Sequence, residues 1–222
     1  MSSVEGRPFD PVNQPYGATP VDEEARDQLL AQHASIRTMA ELNALEEQNI
    51  ASGLLWAKLE GFSTDELLNQ NVLCTIHRRM FDDVWKWAGL VRTREMSIGI
   101  APIQIREQWK VALDDARYFI EHRLTTPIEV VLKLHHRTVQ IHPFVNGNGR
   151  HARLISEELA ASIGLDPQVI TWGRHLGLSN RETRSRYLKA LRALDADPGN
   201  LAPLVALAVD PRFPNKWHRA PE

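Results

Sequence analysis

The chemistry concentrates in twelve residues, His142 to Arg153, which read H-P-F-V-N-G-N-G-R-H-A-R. An imidazole that is neutral near pH 7 can take a proton from a hydroxyl, so His142 is the candidate general base. Pro143 and Phe144 set the direction in which the chain leaves it. Gly147-Asn148-Gly149 is a permissive turn that runs straight into Arg150 and Arg153. Glycines let backbone N–H groups approach an anion, and the start of a helix adds its dipole to them. Arginines three apart project from one face of a helix and can grip a single ligand. Such a stretch suits a phosphorylated substrate, because planar guanidinium forks match phosphate oxygens.

The rest of the chain must supply elements to hold that stretch. Its 222 residues allow one well-buried domain with an extension rather than two full domains. Hydrophobic content of 43% and charged content of 24% are those of an ordinary globular protein. A net charge of −2 gives no overall basic field, which argues against a dedicated nucleic-acid binder. The single Cys74 excludes an internal disulfide and fits a reducing compartment. No apolar run is long enough to cross a bilayer, and residues 1–6 carry no signal-peptide apolar region, so a cytoplasmic protein is expected.

Residues 1–21 hold Pro8, Pro11, Pro15 and Pro20 and read as an extended arm. A helical region follows over 22–60, with a helix at 38–59 that Thr38 and Glu41 open as a capping box and Gly61 closes. Ser63 or Thr64 caps the next helix, and Leu67 through Phe81 reads as one buried helical run. Trp85 and Trp87 are packing anchors. Helical character breaks at Val91–Ile105, where Ser97-Ile98-Gly99-Ile100 is short, β-branched and punctuated by Gly and Pro. Amphipathic helices are then expected over Gln104–His122 and from Pro127. His135 and His136 are adjacent, point to different faces, and read as structural or solvent-facing rather than as a shared metal site. Beyond the motif a helix runs to Gly164, another follows Asn180 with Tyr187, Leu188, Leu191 and Leu194 at helical spacing, and a last one lies near Leu201–Val209. Arg181, Arg184, Arg186 and Arg192 read as a solvated basic face. Residues 61–210 form the main domain and 211–222 a tail.

The motif resembles the Fic family signature, H-x-F-x-[D/E]-G-N-G-R-x-x-R, and departs from it at one fixed position, Asn146 in place of an acid. Its spelling is similar to the subgroup called mobile mystery protein B. So are E-L-N-A-L-E-E-Q-N-I over Glu41–Ile50 and H-R-R-M-F-D-D-V-W-K-W-A-G over His77–Gly89. The resemblance implies a mainly α fold, a Fic-type helical bundle with a short β-hairpin flap over the active site. Ser97, Ile98, Gly99 and Ile100 would be that flap, docking a target segment by strand addition; the alternative is an ordinary surface hairpin.

The resemblance also implies a protein adenylyltransferase. A Ser, Thr or Tyr hydroxyl of a target protein would attack the α-phosphate of ATP with His142 as base, leaving AMP on the target. Phe144, Asn146, Gly147, Asn148, Gly149, Arg150 and Arg153 would form the phosphate and nucleotide site. Death-on-curing toxins of the same superfamily replace the second glycine of the loop and phosphorylate, so Gly149 implies the AMP-transfer orientation. An acid at position 146 would hold Mg2+, and a carboxamide can ligate the ion without supplying formal charge. Many Fic proteins carry an inhibitory glutamate in [S/T]-x-x-x-E-[G/N]. Here Glu46 and Glu47 are the candidates, paired with Arg153, though Glu47 has Asn43 and Gln48 at the flanking positions. The alternative is two solvated glutamates on a helix face. Partners would be the target protein and an antitoxin or a second copy, with no membrane. The readings that stay open are a weakly active or non-catalytic nucleotide-binding module of a toxin–antitoxin kind, and a Fic enzyme with another nucleotide donor.

Overall fold

A computed structural model describes residues 27–33 and 39–216. The extended arm read over 1–21 and the capping residue Thr38 lie outside the described residues. The first long helix, α1, spans Met39–Glu60 and ends where Gly61 takes φ 63°, a left-handed turn that glycine adopts without a Cβ penalty. Ser63 opens α2 (Thr64–Leu67) with a full capping box to Glu66.

The single helical run expected from Leu67 to Phe81 is broken. Asn69 leaves helical geometry, its side chain accepts from the Asn71 N–H, and α3 (Gln70–Phe81) starts afresh. The break turns α3 so that Leu73, Ile76, His77, Met80 and Phe81 all face inward.

Helix α4 covers Ile105–Glu121 and buries Ile105, Trp109, Ala112, Leu113 and Ala116, an interval of three to four residues. Thr126 and Glu129 form a capping box, and Pro127 occupies the first turn of α5 (Pro127–Ile141). Helix α6 (Asn148–Ser162) carries both motif arginines, and Gly164 at φ 84° turns the chain away from it. Ser179 and Glu182 cap α7 (Asn180–Ala196), and α8 (Ala202–Ala208) closes the bundle. Helix α1 packs on α3, α5 packs between α4 and α6, and α7 packs on α8. Trp85, Trp109, Phe81 and Phe144 are fully buried where these layers meet.

The hairpin expected near residues 97–100 is not formed. Among the described residues, β-type pairing is confined to two isolated antiparallel bridges, Leu29 with Trp85 and Ile170 with Val209. Residues 91–100 are an irregular loop, and Arg92 supplies the reason. Its guanidinium donates to the carbonyls of Arg94 (2.9 Å) and Ile100 (2.6 Å), bridging the two arms where a ladder would have paired them. The loop then enters a short 3-10 turn at Pro102–Gln104. Among the described residues no helix is long and apolar enough to cross a membrane.

Candidate active site

His142 caps the C-terminus of α5 in the left-handed region (φ 55°, ψ 63°), an uncommon conformation for a residue with a side chain. Such strain persists only where the surroundings hold it. Here Arg92, itself 3% exposed, does so: its Nε donates to the His142 carbonyl at 2.7 Å and its backbone N–H to the Pro143 carbonyl at 2.9 Å. The imidazole is buried, with Nε2 shielded and without a hydrogen-bond partner among the described residues. The ring bonds to the Val139 carbonyl, so Nδ1 carries the proton and Nε2 is the bare basic atom. Burial, and then the Arg92 charge, push its pKa down to about 4 against the pull of the Val139 bond. At neutral pH the ring is therefore uncharged.

The loop after His142 is held from inside. The Phe144 ring is fully buried, stacked 3.6 Å from His77 and edge-on to Trp109 at 5.7 Å. Expected in the nucleotide-binding set, it works as the loop's anchor in the core. Asn148 is likewise buried: its Oδ1 accepts from the Phe144 N–H (2.9 Å) and its Nδ2 donates to the Phe144 carbonyl (2.8 Å). That side chain closes the loop, leaving only its backbone for an anion. Gly147 sits at φ 78°, and a Cβ there would meet the Phe81 ring at 2.5 Å, so both backbone and space demand glycine. Gly149 differs. A Cβ there would clear everything by 3.9 Å, with Arg153 Nη1 and Tyr187 Oη nearest. Glycine at 149 therefore keeps open the space in front of the α6 N-terminus. No side chain caps that terminus, so its first N–H groups are free to meet an anion.

His77 was not among the residues the sequence singled out. Its Nδ1 accepts from the Gly89 N–H at 3.0 Å, so Nε2 carries the proton and donates to the Asn146 carbonyl at 3.0 Å. Fully buried, it has a pKa well below the ordinary histidine value, chiefly through desolvation. Arg92 and His77 each act through a carbonyl more than forty residues away, and no local pattern marks such a pairing.

The two arginines have separate neighbours. Arg150 extends over the Phe81 ring (5.0 Å) and its Nη1 reaches Glu46 Oε2 at 3.3 Å. Glu46 Oε1 accepts from Trp85 Nε1 at 2.7 Å. The glutamate therefore meets Arg150, not Arg153 as expected, and Glu47 on the same helix is exposed. Arg153 lies over the Tyr187 ring at 5.5 Å. Arg184, read from sequence as part of a solvated basic face, is half-buried and close enough that the charges of Arg153 and Arg150 lower its pKa, after desolvation.

Residues 67–160 match the model of the Fic/DOC family. That match takes in less than half of the chain. It is 29% identical over 175 residues to protein adenylyltransferase fic-1 of Caenorhabditis elegans, covering 76% of this chain and 32% of that protein. The solved structure of C. elegans Fic-1 (residues 134–508) superposes with a TM-score of 0.53 at 27% identity, over 73% of this chain and 47% of that one. BepC of Bartonella tribocorum, solved with bound AMPPNP, gives a TM-score of 0.60 at 15% identity, over 84% of this chain and 96% of that one. The last likeness is of fold alone. The fold is the mainly helical Fic fold, and this chain spans about a third of the curated relative.

The loop between α5 and α6 brings His142, Asn146, Gly147, Gly149, Arg150 and Arg153 to one end of the two helices. Ser97, Ile98 and Gly99 are exposed nearby, with Ile100 half-buried: Ile100 N–H bonds to the Ile141 carbonyl, and a Cβ at Gly99 would strike His142 Cβ at 2.6 Å. For a divalent cation the local donors are few. Asn146 Oδ1 accepts from the Gly147 N–H at 2.7 Å, and among the described residues no group of three or more His, Cys, Asp or Glu forms a cage. Such a site suits Mg2+ only as an ion brought in by nucleotide phosphates and keeping most of its waters.

Proposed function

We propose that this chain is a protein adenylyltransferase that moves AMP from ATP to a Ser, Thr or Tyr hydroxyl of another protein. The observation that carries the reading is the bare, buried Nε2 of His142 on the loop that leads into an uncapped helix N-terminus carrying two arginines. The names of the curated relatives support it. In the reaction the target oxygen attacks the α-phosphorus while His142 Nε2 takes the hydroxyl proton. The bond from the α-phosphorus to the bridging oxygen breaks, and diphosphate leaves with the electron pair. N–H groups at the start of α6 face the charge that develops on the α-phosphate, and Arg150 and Arg153 hold the departing phosphates. Mg2+, when bound, neutralises phosphate charge, and Asn146 is the protein oxygen that would meet it.

With a pKa of about 4, His142 is a weak base that sheds its proton to water at once. Catalysis then rests more on positioning than on basicity. Residues 97–100 lie beside His142 and would receive the target segment through main-chain bonds, the irregular loop becoming a strand only when a partner strand arrives. The α1 helix would regulate the site through Glu46. The division into an arm (1–21), a regulatory helical region (22–60), a catalytic domain (61–210) and a tail (211–222) belongs to this reading, as does membership of the mobile mystery protein B subgroup.

Incubation with α-labelled ATP tests the proposal: label should move to the protein itself or to a lysate partner, and His142→Ala should remove it. Equal labelling by both would overturn the assignment of the base. One observation favours a second reading, a nucleotide-binding module with little turnover in a toxin–antitoxin pair. Asn146 brings no charge to the metal and occupies the Gly147 N–H. Nucleotide binding without transfer of label from any nucleoside triphosphate would select it.

A further inference from the structure

Behind Arg153 lies a buried polar chain in an otherwise apolar contact between α5, α6 and α7. Ser156 donates its hydroxyl hydrogen to the Ala152 carbonyl at 2.8 Å. A hydroxyl has one hydrogen, so toward His135 Nδ1, 3.1 Å away, Ser156 can only accept. Nδ1 must then carry the imidazole proton, which leaves Nε2 as an acceptor. Nε2 faces the Tyr187 hydroxyl at 2.9 Å, so the tyrosine donates. Its hydrogen is committed inward and its oxygen lone pairs turn outward. What stands on that side is Arg153, whose guanidinium lies over the ring at 5.5 Å. The same two groups, Arg153 Nη1 and Tyr187 Oη, are the nearest atoms to the space that Gly149 keeps clear.

Every orientation in that chain is forced by the one before it. His135 is fully buried and its pKa is pushed to about 3, so it stays neutral and keeps Nε2 as an acceptor across the working range of the protein. Trp172 closes one flank, tilted on His135 at 4.4 Å and edge-on to Tyr187 at 6.3 Å. A phenylalanine would fill the core as well as Tyr187 does; the hydroxyl is what the packing alone does not require.

We propose that Tyr187, locked by His135 and Ser156, is a positioning residue that presents an acceptor to Arg153 and fixes the guanidinium for the terminal phosphates of the nucleotide. A guanidinium held in advance loses less rotamer freedom when its ligand arrives. Tyr187 therefore acts on affinity for the phosphates beyond the first and not on the nucleoside.

The test is Tyr187→Phe in the full chain. Its ligand arm rests on the phosphate-site reading above; its spectroscopic arm does not. In the free protein, the Arg153 Nε–H signal should be ordered in the wild type and lose that order in Tyr187→Phe. In titrations, the variant should bind ATP about tenfold more weakly, the lower end of what one hydrogen bond to a charged group contributes, while AMP binding stays within about twofold. In an Arg153→Ala background the tyrosine change should add nothing. Equal losses for ATP and AMP, or a penalty that persists without Arg153, would overturn the proposal as mere core packing. If the wild type binds no nucleotide, the phosphate reading fails and the Arg153 order decides the positioning role by itself. Should the variant not fold, nitrogen chemical shifts of His135 in the wild type settle the orientation: protonation at Nδ1 supports the chain, and protonation at Nε2 overturns it.

Discussion

Glu46→Gln separates two duties that one carboxylate performs. Oε1 accepts the Trp85 indole hydrogen at 2.7 Å, and Oε2 meets Arg150 at 3.3 Å. Glutamine keeps an oxygen for the tryptophan and removes the charge from the arginine. Arg150 is then no longer held by α1 and is free for an incoming phosphate. The Glu46 side chain is 12% exposed and that of Arg150 33%, so the pair lies between a solvated ion pair and a buried one. Solvated pairs contribute about 0–1 kcal/mol and hydrogen bonds to charged groups about 1.5–3. Discounting for the partial exposure of Arg150 leaves about 1 kcal/mol, or about fivefold in nucleotide affinity.

Glu46→Ala frees the arginine equally but orphans the indole N–H of Trp85, which is 2% exposed. An unpaired buried donor costs about 1–3 kcal/mol. Calorimetric titration with ATP, alongside urea unfolding, reads both quantities. Both variants should bind ATP about fivefold more tightly, and only the alanine variant should lose stability. Unchanged ATP affinity in Glu46→Gln would refute the idea that α1 restrains the site.

The two glycines of the loop should separate cleanly. Gly147→Ala meets Phe81 and a positive φ, and should lower the unfolding free energy by about 1–3 kcal/mol or more, whereas Gly149→Ala should fold like the wild type and lose label transfer; equal stability losses would refute this. Asn146→Asp restores a charged oxygen, so the Mg2+ concentration for half-maximal transfer should fall about tenfold, roughly 1.4 kcal/mol, and no change would mean that position 146 does not face the metal. Acid should destabilise the fold through its buried histidines. Desolvation lowers the pKa of His135 to about 3, of His142 and His151 to about 4, and of His77 well below 6.5. Between pH 6.5 and about 4 the unfolded chain therefore binds protons that the folded one refuses. Stability is full above pH 6.5 and falls with acid by about 1.4 kcal/mol per pH unit for each such histidine; a urea midpoint equal at pH 7 and pH 5 would contradict the assigned burial.

What can be read from the sequence divides along the distance over which each signal acts. Helix ends are local statements. Ser63, Pro127, Gly61 and Gly164 each open or terminate a helix within three or four residues, and each is found where the spacing puts it. The break at Asn69 escaped because the apolar period runs through it, and only the Asn69 side chain, bonded to Asn71, marks a new start. Pairings across the bundle depend on the rotation of each helix about its axis, which periodicity fixes only to within a residue or so. Glu46 was legible as a candidate, but its partner proved to be Arg150, one turn of α6 before Arg153, across 104 residues of chain.

Arg92 is illegible for the same reason, with a further consequence. A run of small and β-branched residues at 97–100 has the pattern of a hairpin, but a hairpin needs the carbonyls of both arms. One buried guanidinium takes Arg94 O and Ile100 O and ties Ile100 and His142 together instead. The strand pattern is thus left without a partner strand among the described residues, next to His142. A segment with strand propensity and unpaired edges is suited to pair with an extended chain from elsewhere. The same arginine that prevents the hairpin also holds His142 in its left-handed conformation, so the loop that would receive a target and the base that would act on it are fixed by one side chain.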